Sequence, residues 1–203
     1  ISGKHWDGFN RISIEEVNEI KQYLDKYVWF LKPEKDFTLT SILNQIKAIK
    51  QRYGLEYFVI DAWNKIEHAD DKTSYIGKCL DEIVTFCEIN NVHCFLVAHP
   101  TKIKKNMNTG KYEVPTLYDI AGSANFYNKA DNGICVYRDF EEQKTYVHIQ
   151  KIKFDHWGTE SCAVFTYDVK SKRYQSDTPD LGSWLNPKSL YNEMIEYVNG
   201  KPK

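Results

Sequence analysis

Two stretches of this 203-residue chain restrict its fold more than any others: "YFVID", residues 57–61, and "NVHCFLVAHP", residues 91–100. Each is a near-continuous apolar run, without the alternation of a strand that has one face in water. Between them lies an amphipathic stretch at about 74–90, with Ile76, Leu80, Ile83, Val84 and Cys87 on one helical face. Strands apolar on both sides and separated by a helix imply a parallel sheet covered on both faces, and hence an α/β domain.

The flanking sequence extends this layout. Ser13 with Glu16 forms a capping box for a helix over about residues 14–23. "YVWFL", 27–31, reads as a short strand stopped by Pro33. Thr38 or Thr40 caps a helix with the stripe Leu39, Ile42, Leu43, Ile46 and Ile49, which ends at Gly54. A short helix is predicted around 123–130. Beyond it the β-rich runs "NGICVYRD", "TYVHIQKIKF" and "CAVFTYDV" make the second half tend to antiparallel pairing. A terminal helix is predicted from Pro187 to Gly200, so that residues 1–180 form the main domain and 181–203 an extension.

Composition narrows the class. With 42% hydrophobic and 27% charged residues and a net charge of −1, the chain reads as one soluble domain. It has no apolar run of membrane-spanning length and no secretory layout, so no membrane partner is expected. Five cysteines lie scattered without a C-x-x-C pair, as reduced core residues of a cytosolic protein would. The six histidines lack zinc-ligand spacing.

The chemistry concentrates at strand ends. Asp61 and His99 each sit at or just beyond the carboxyl end of an apolar run, where ligands of open α/β sheets bind. An aspartate there can hold Mg²⁺ through its waters, and a histidine can hydrogen-bond a phosphate oxygen. A strand-end cap and a turn-stabilising side chain are the plainer alternatives. "TKIKKNMNTGK", 101–111, carries Lys102, Lys104, Lys105 and Lys111 and no acid, which suits either a solvated loop or an anion-binding one. No G-x-x-x-x-G-K-[ST] phosphate loop is present to accompany Asp61.

The blocks "YFVIDAWNKIEH", "NNVHCFLVAHPTK", "DIAGSANFYNKADNGICVYRD" and "IQKIKFDHWGTESCAVFTYD" share an order and spacing. In that order they resemble the RecA-like helicase domain of DnaB-type replicative helicases, in the branch of phage primase-helicases and Twinkle. The resemblance covers about residues 55–175. It implies a RecA-like three-layer sheet with helices on both faces, incomplete at its N-terminal end, and a β-rich C-terminal half. It also implies ATP and Mg²⁺ as cofactors, single-stranded DNA as partner, and a homo-oligomeric ring. A primase on the same chain is left open, and a cytoplasmic bacterial, phage or mobile-element setting is expected.

The resemblance carries roles onto particular residues. Asp61 matches the carboxylate that positions Mg²⁺, and His99 the γ-phosphate sensor. Residues 101–111 match the first DNA-binding loop, with Lys102, Lys104, Lys105 and Lys111. Residues 121–129 match the second, with Gly122, Ser123, Asn128 and Lys129. Backbone N–H groups and lysines in such loops would track phosphates. Arg138 and Tyr167 match positions that sandwich adenine. Lys151 and Lys153 match a Lys-x-Arg pair presented to the neighbouring subunit's nucleotide.

Two departures stand out. Lys153 occupies the finger position where the family has arginine, so it lacks the planar fork that grips two phosphate oxygens. Arg173 or Arg138 would be the substitutes. The phosphate loop is expected upstream of Ile1, and without it the chain alone is expected not to turn over ATP. Two rivals remain at this stage: a RecA/RadA-like recombination ATPase, and a non-catalytic nucleic-acid-binding or assembly module.

Overall fold

The structure is a computed structural model that describes residues 11–32, 36–68, 73–101, 103, 105–107, 110–120, 124–154, 156 and 158–177. Pro33 and the predicted helix at 187–200 lie outside the described residues.

Helix α1, Ile14–Tyr27, starts at the expected capping box: the Glu16 N–H donates to Ser13 Oγ (3.2 Å) and the Ser13 N–H to Glu16 Oε2 (2.9 Å). It runs one turn further than its apolar pattern suggested, and the strand expected at 27–31 does not form. The Val28 N–H still donates to the Leu24 carbonyl at 2.8 Å, and the Tyr23 and Tyr27 rings meet one turn apart at 4.9 Å. A β-prone run becomes a strand only where a neighbour supplies the ladder.

Helix α2, Leu39–Tyr53, is capped by Thr38, whose Oγ1 accepts from the Ser41 N–H at 3.4 Å. It ends at Gly54, whose φ of 77° is the left-handed conformation that glycine adopts without a Cβ clash. Strand β1, Tyr57–Asp61, helix α3, Thr73–Asn90, and strand β2, His93–Val97, follow. The two strands pair in parallel, with Phe58 opposite Cys94, Ile60 opposite Leu96 and Asp61 opposite Val97.

One face of this strand pair makes the core. Phe58 and Ile60 are buried with Leu39, Leu43 and Ile46 of α2 and with Ile76, Cys79, Leu80 and Ile83 of α3, and Cys94 and Leu96 pack against them. Burial pushes the Cys94 thiol up to about 12, with the Cys87 thiol a lesser cause, which keeps it protonated and unreactive. The alternate residues differ: Tyr57 is 62% and Val59 63% exposed. The unbroken apolar runs are therefore buried unevenly.

Helix α4, Ala124–Lys129, leads into strands β3, Asn132–Asp139, β4, Lys144–Ile152, β5, Ser161–Asp168, and β6, Arg173–Ser176, which form a four-stranded sheet in that order. β5 and β6 are antiparallel. The β6 strand adds to the three predicted, and the turn before it is built by Asp168. Its Oδ1 accepts from the Lys170 N–H at 2.9 Å and its Oδ2 from the Ser171 hydroxyl at 2.5 Å, while Lys172 takes a φ of 57°.

The chain divides into two compact units. One comprises Ile1–Leu31, Arg138–Val147 and Cys162–Lys203; the other comprises Lys32–Tyr137 and His148–Ser161. No described helix is long and apolar enough to cross a membrane.

Candidate nucleotide and nucleic-acid site

Parallel pairing brings the carboxyl ends of β1 and β2 to one edge. Asp61, the last residue of β1, lies in register with Val97, the last of β2, and His99 follows two residues later. Both side chains are exposed. Directly after Asp61 the chain enters the core: Ala62, joined to Asp61 by a cis peptide, and Trp63 are both buried. Trp63 meets Phe126 of α4 edge-on at 5.6 Å.

Among the described residues no cluster of three or more His, Cys, Asp or Glu side chains could cage a metal. A lone exposed carboxylate still suits Mg²⁺, which keeps most of its waters and is usually held by one or two carboxylates plus substrate phosphates. Asp61 and His99 can thus offer a carboxylate and an imidazole to a ligand at this edge. With no phosphate-loop sequence in the chain, they do not supply the phosphate cradle.

Downstream of His99 the chain leaves the sheet and returns to its own starting point. Pro100 bridges Ile120, and Thr101 donates to the Asp119 carbonyl twice, from N–H at 2.9 Å and from Oγ1 at 3.0 Å. Within the loop so closed, Lys105 bridges Tyr112, with its ammonium 5.8 Å from that ring's centre. The Asn106 N–H donates to the Lys111 carbonyl and the Gly110 N–H to the Asn106 carbonyl, each at 2.8 Å. Gly110 turns at a φ of 69°. The described residues 105–106 and 110–112 thus pair with one another above a base fixed at Thr101, with Lys105 exposed and Lys111 half-buried. Lys102, Lys104, Gly122 and Ser123 lie outside the described residues.

Helix α4, at the second predicted loop, is tied to α3. The Asn125 side-chain amide donates to the Thr73 carbonyl at 2.7 Å, and Lys129 forms an ion pair with Asp81. Asn128 is exposed.

The paired lysines are engaged inside the unit that holds them. Lys151 donates to the Tyr127 and Asn128 carbonyls in the last turn of α4 and lies over the Tyr127 ring at 4.8 Å. A cation there meets the negative end of the helix and satisfies carbonyls that have no helical partner. Lys153 pairs with Asp131 at 2.6 Å, a hydrogen bond that holds its ammonium pKa above the ordinary lysine value.

In the other unit, Arg138 and Tyr167 do meet. The guanidinium lies 5.5 Å from the Tyr167 ring and 5.5 Å from the Phe140 ring. This is direct cation–π contact, so a base would have to part the two residues to lie between them. Arg173, the suggested substitute finger, stands opposite Asp168 in the β5–β6 ladder.

Asp81 and Asp131, the partners of Lys129 and Lys153, carry no mark in the sequence, and neither does an aromatic pair. Tyr118 and Tyr127 stack at 4.6 Å with their planes 22° apart. Nothing in their nine-residue separation signals this, because one lies in a 3-10 turn, Leu117–Asp119, and the other on a helix.

No protein-family model matches the chain. Among solved structures it is similar to an ATPase domain, with a TM-score of 0.56 and 14% identity over 68% of this chain and 50% of that one. That likeness defines the class of fold: a RecA-like α/β domain with a strand-rich second half. Among known proteins it is similar to the chloroplastic/mitochondrial Twinkle homolog protein of Arabidopsis thaliana, at 32% identity over 180 residues. That match covers 83% of this chain and 25% of the relative, so the chain spans about a quarter of the relative's length. Over most of its own length the chain is thus similar to part of a Twinkle homolog, and its fold is RecA-like.

Proposed function

We propose that this chain is the part of an ATP-dependent DNA helicase that carries the metal-positioning carboxylate, the phosphate sensor and the DNA-tracking loops. The observation that carries the reading is the parallel register of β1 and β2. It sets Asp61 and His99 at one carboxyl edge, with the closed lysine-rich loop beginning immediately beyond. A signal received at His99 has only two residues to cross before reaching the loop base at Thr101.

In this reading Asp61 would help to hold Mg²⁺, and His99 would hydrogen-bond a terminal phosphate oxygen. Lys105 and Lys111 neutralise the phosphates of single-stranded DNA, as would Lys102 and Lys104, while Gly122, Ser123, Asn128 and Lys129 would form the second contact. When bound, Mg·ATP would supply the free energy of hydrolysis for movement along the strand. Its phosphates need a cradle of backbone N–H groups and a lysine, which the motifs of this chain do not supply. Lys153 is the proposed finger toward a neighbouring copy in a ring, once released from Asp131. Lys151 serves by holding the end of α4.

The test is ATP turnover and strand unwinding by the intact protein. Asp61→Ala should abolish metal-dependent turnover while single-stranded DNA binding persists. Turnover that survives Asp61→Ala would remove this carboxylate from the mechanism.

A further inference from the structure

Tyr118 occupies an unusual position for an exposed aromatic residue. The residue is 52% exposed, yet the backbone on both sides of it is fixed. Leu117 before it is buried, and Asp119 after it accepts both Thr101 hydrogen bonds through its carbonyl. Asp119 also closes the turn, its Oδ2 accepting from the Thr116 N–H at 2.7 Å and the Thr116 hydroxyl at 2.9 Å.

The ring is backed as firmly as its backbone. One face lies on Tyr127 at 4.6 Å. Tyr127 is held by Lys151, and its neighbour Phe126 is buried against Trp63, which sets the rotation of α4. Among the described residues no second ring or cation packs on Tyr118. The result is a pre-ordered aromatic residue, half exposed and backed on one face by Tyr127, with the opposite ring face as its outer side.

We propose that this outer face of Tyr118 is a stacking seat for one base of single-stranded nucleic acid. The proposal rests on the nucleic-acid reading above and adds to it a contact with a base, where the lysines contact only phosphates. Stacking tolerates any base, because every base has a π-face, so the seat would strengthen binding without reading sequence. A ring already stacked and fixed loses little freedom when the base arrives.

The test compares two ligands on the protein: oligothymidylate of about 16 nucleotides, and an abasic sugar-phosphate strand of the same length. Wild type should bind the thymidylate about tenfold more tightly than the abasic strand. Tyr118→Ala should bring the thymidylate close to the abasic level and leave the abasic affinity unchanged, whereas Tyr118→Phe should keep the preference. Circular dichroism of both variants should match wild type, since the residue is half exposed.

Equal binding of the two strands by wild type, or a preference that survives Tyr118→Ala, would overturn the seat and leave the phosphate-tracking reading intact. Failure of wild type to bind either strand would overturn both.

Discussion

The inner face of β1 and β2 buries Phe58 and Ile60 against α2 and α3, with Leu96 packed beside them, whereas the segment from His99 to Lys129 leaves His99, Lys105, Met107 and Tyr118 in solvent. Both regions belong to one compact unit. The first is held by apolar area; the second is anchored by buried Leu117 and Phe126 and, at the base of its loop, by hydrogen bonds through Thr101, Asp119 and Thr116. The contrast teaches that stability and ligand contact are separable here: a substitution in the core should unfold the protein, and one in the loop should disarm it.

The largest effect should come from Phe58→Ala. The ring is buried and meets Phe86 edge-on at 5.9 Å, so its loss should cost about 3–5 kcal/mol in urea unfolding. The next residue, Val59, faces solvent, and Val59→Thr should stay within about 0.5 kcal/mol. Similar costs for both would mean that the outer face is covered in solution.

Gly133→Ala joins the two regions. A Cβ there would sit 2.7 Å from both Leu117 methyl groups and 3.2 Å from Lys151 Cβ. Relief should cost about 1–3 kcal/mol and should displace the turn that carries Tyr118, so single-stranded DNA affinity should fall with stability. A loss of stability without any loss of affinity would sever that connection.

Thr38→Ala removes the α2 cap and should cost about 1 kcal/mol while nucleic-acid binding is unchanged. Lys105→Glu should do the reverse: stability within about 0.5 kcal/mol of wild type, with the slope of log affinity against log salt reduced by about one. An unchanged slope would take Lys105 out of the interface.

The smallest effect lies in the other unit. Asp177 accepts from Lys144 at 2.7 Å and from the Thr166 hydroxyl, and the Lys144 bond first, then Thr166, holds its pKa below the ordinary carboxylate value. Because the folded value is depressed, the stabilisation is present above the unfolded value of about 3.9 and is lost as pH falls through the folded one. Asp177→Asn should flatten that acid limb slightly, as seen in unfolding curves between about pH 5 and pH 2. A limb identical to wild type would show that solvent screens the pair completely.

Much of the fold was legible because its determinants are close in sequence. The Ser13–Glu16 box, the Thr38 cap and the Gly54 stop each act within three or four residues, and they located α1 and α2. The site was legible only where a strand end marked it, at Asp61 and His99. The run at 27–31 misled because its β propensity had no partner strand. β6 was missed because its four residues carry no apolar run, and its position follows from the Asp168 turn and the edge of β5.

By itself, then, the sequence determined the alternation of strands and helices in the first half, the capped helix ends, and an order of blocks that resembles a DnaB/Twinkle-type domain. Tertiary structure alone decided which charges are engaged and which aromatic rings meet. Lys129 finds Asp81 across 48 residues, Lys151 finds the end of α4 across 24, and Tyr118 finds Tyr127 between a turn and a helix. Capping and periodicity depend on spacing along one element and survive in a linear reading. Ion pairs and ring stacks depend on which elements pack together, and that is settled only once the core has brought them into contact.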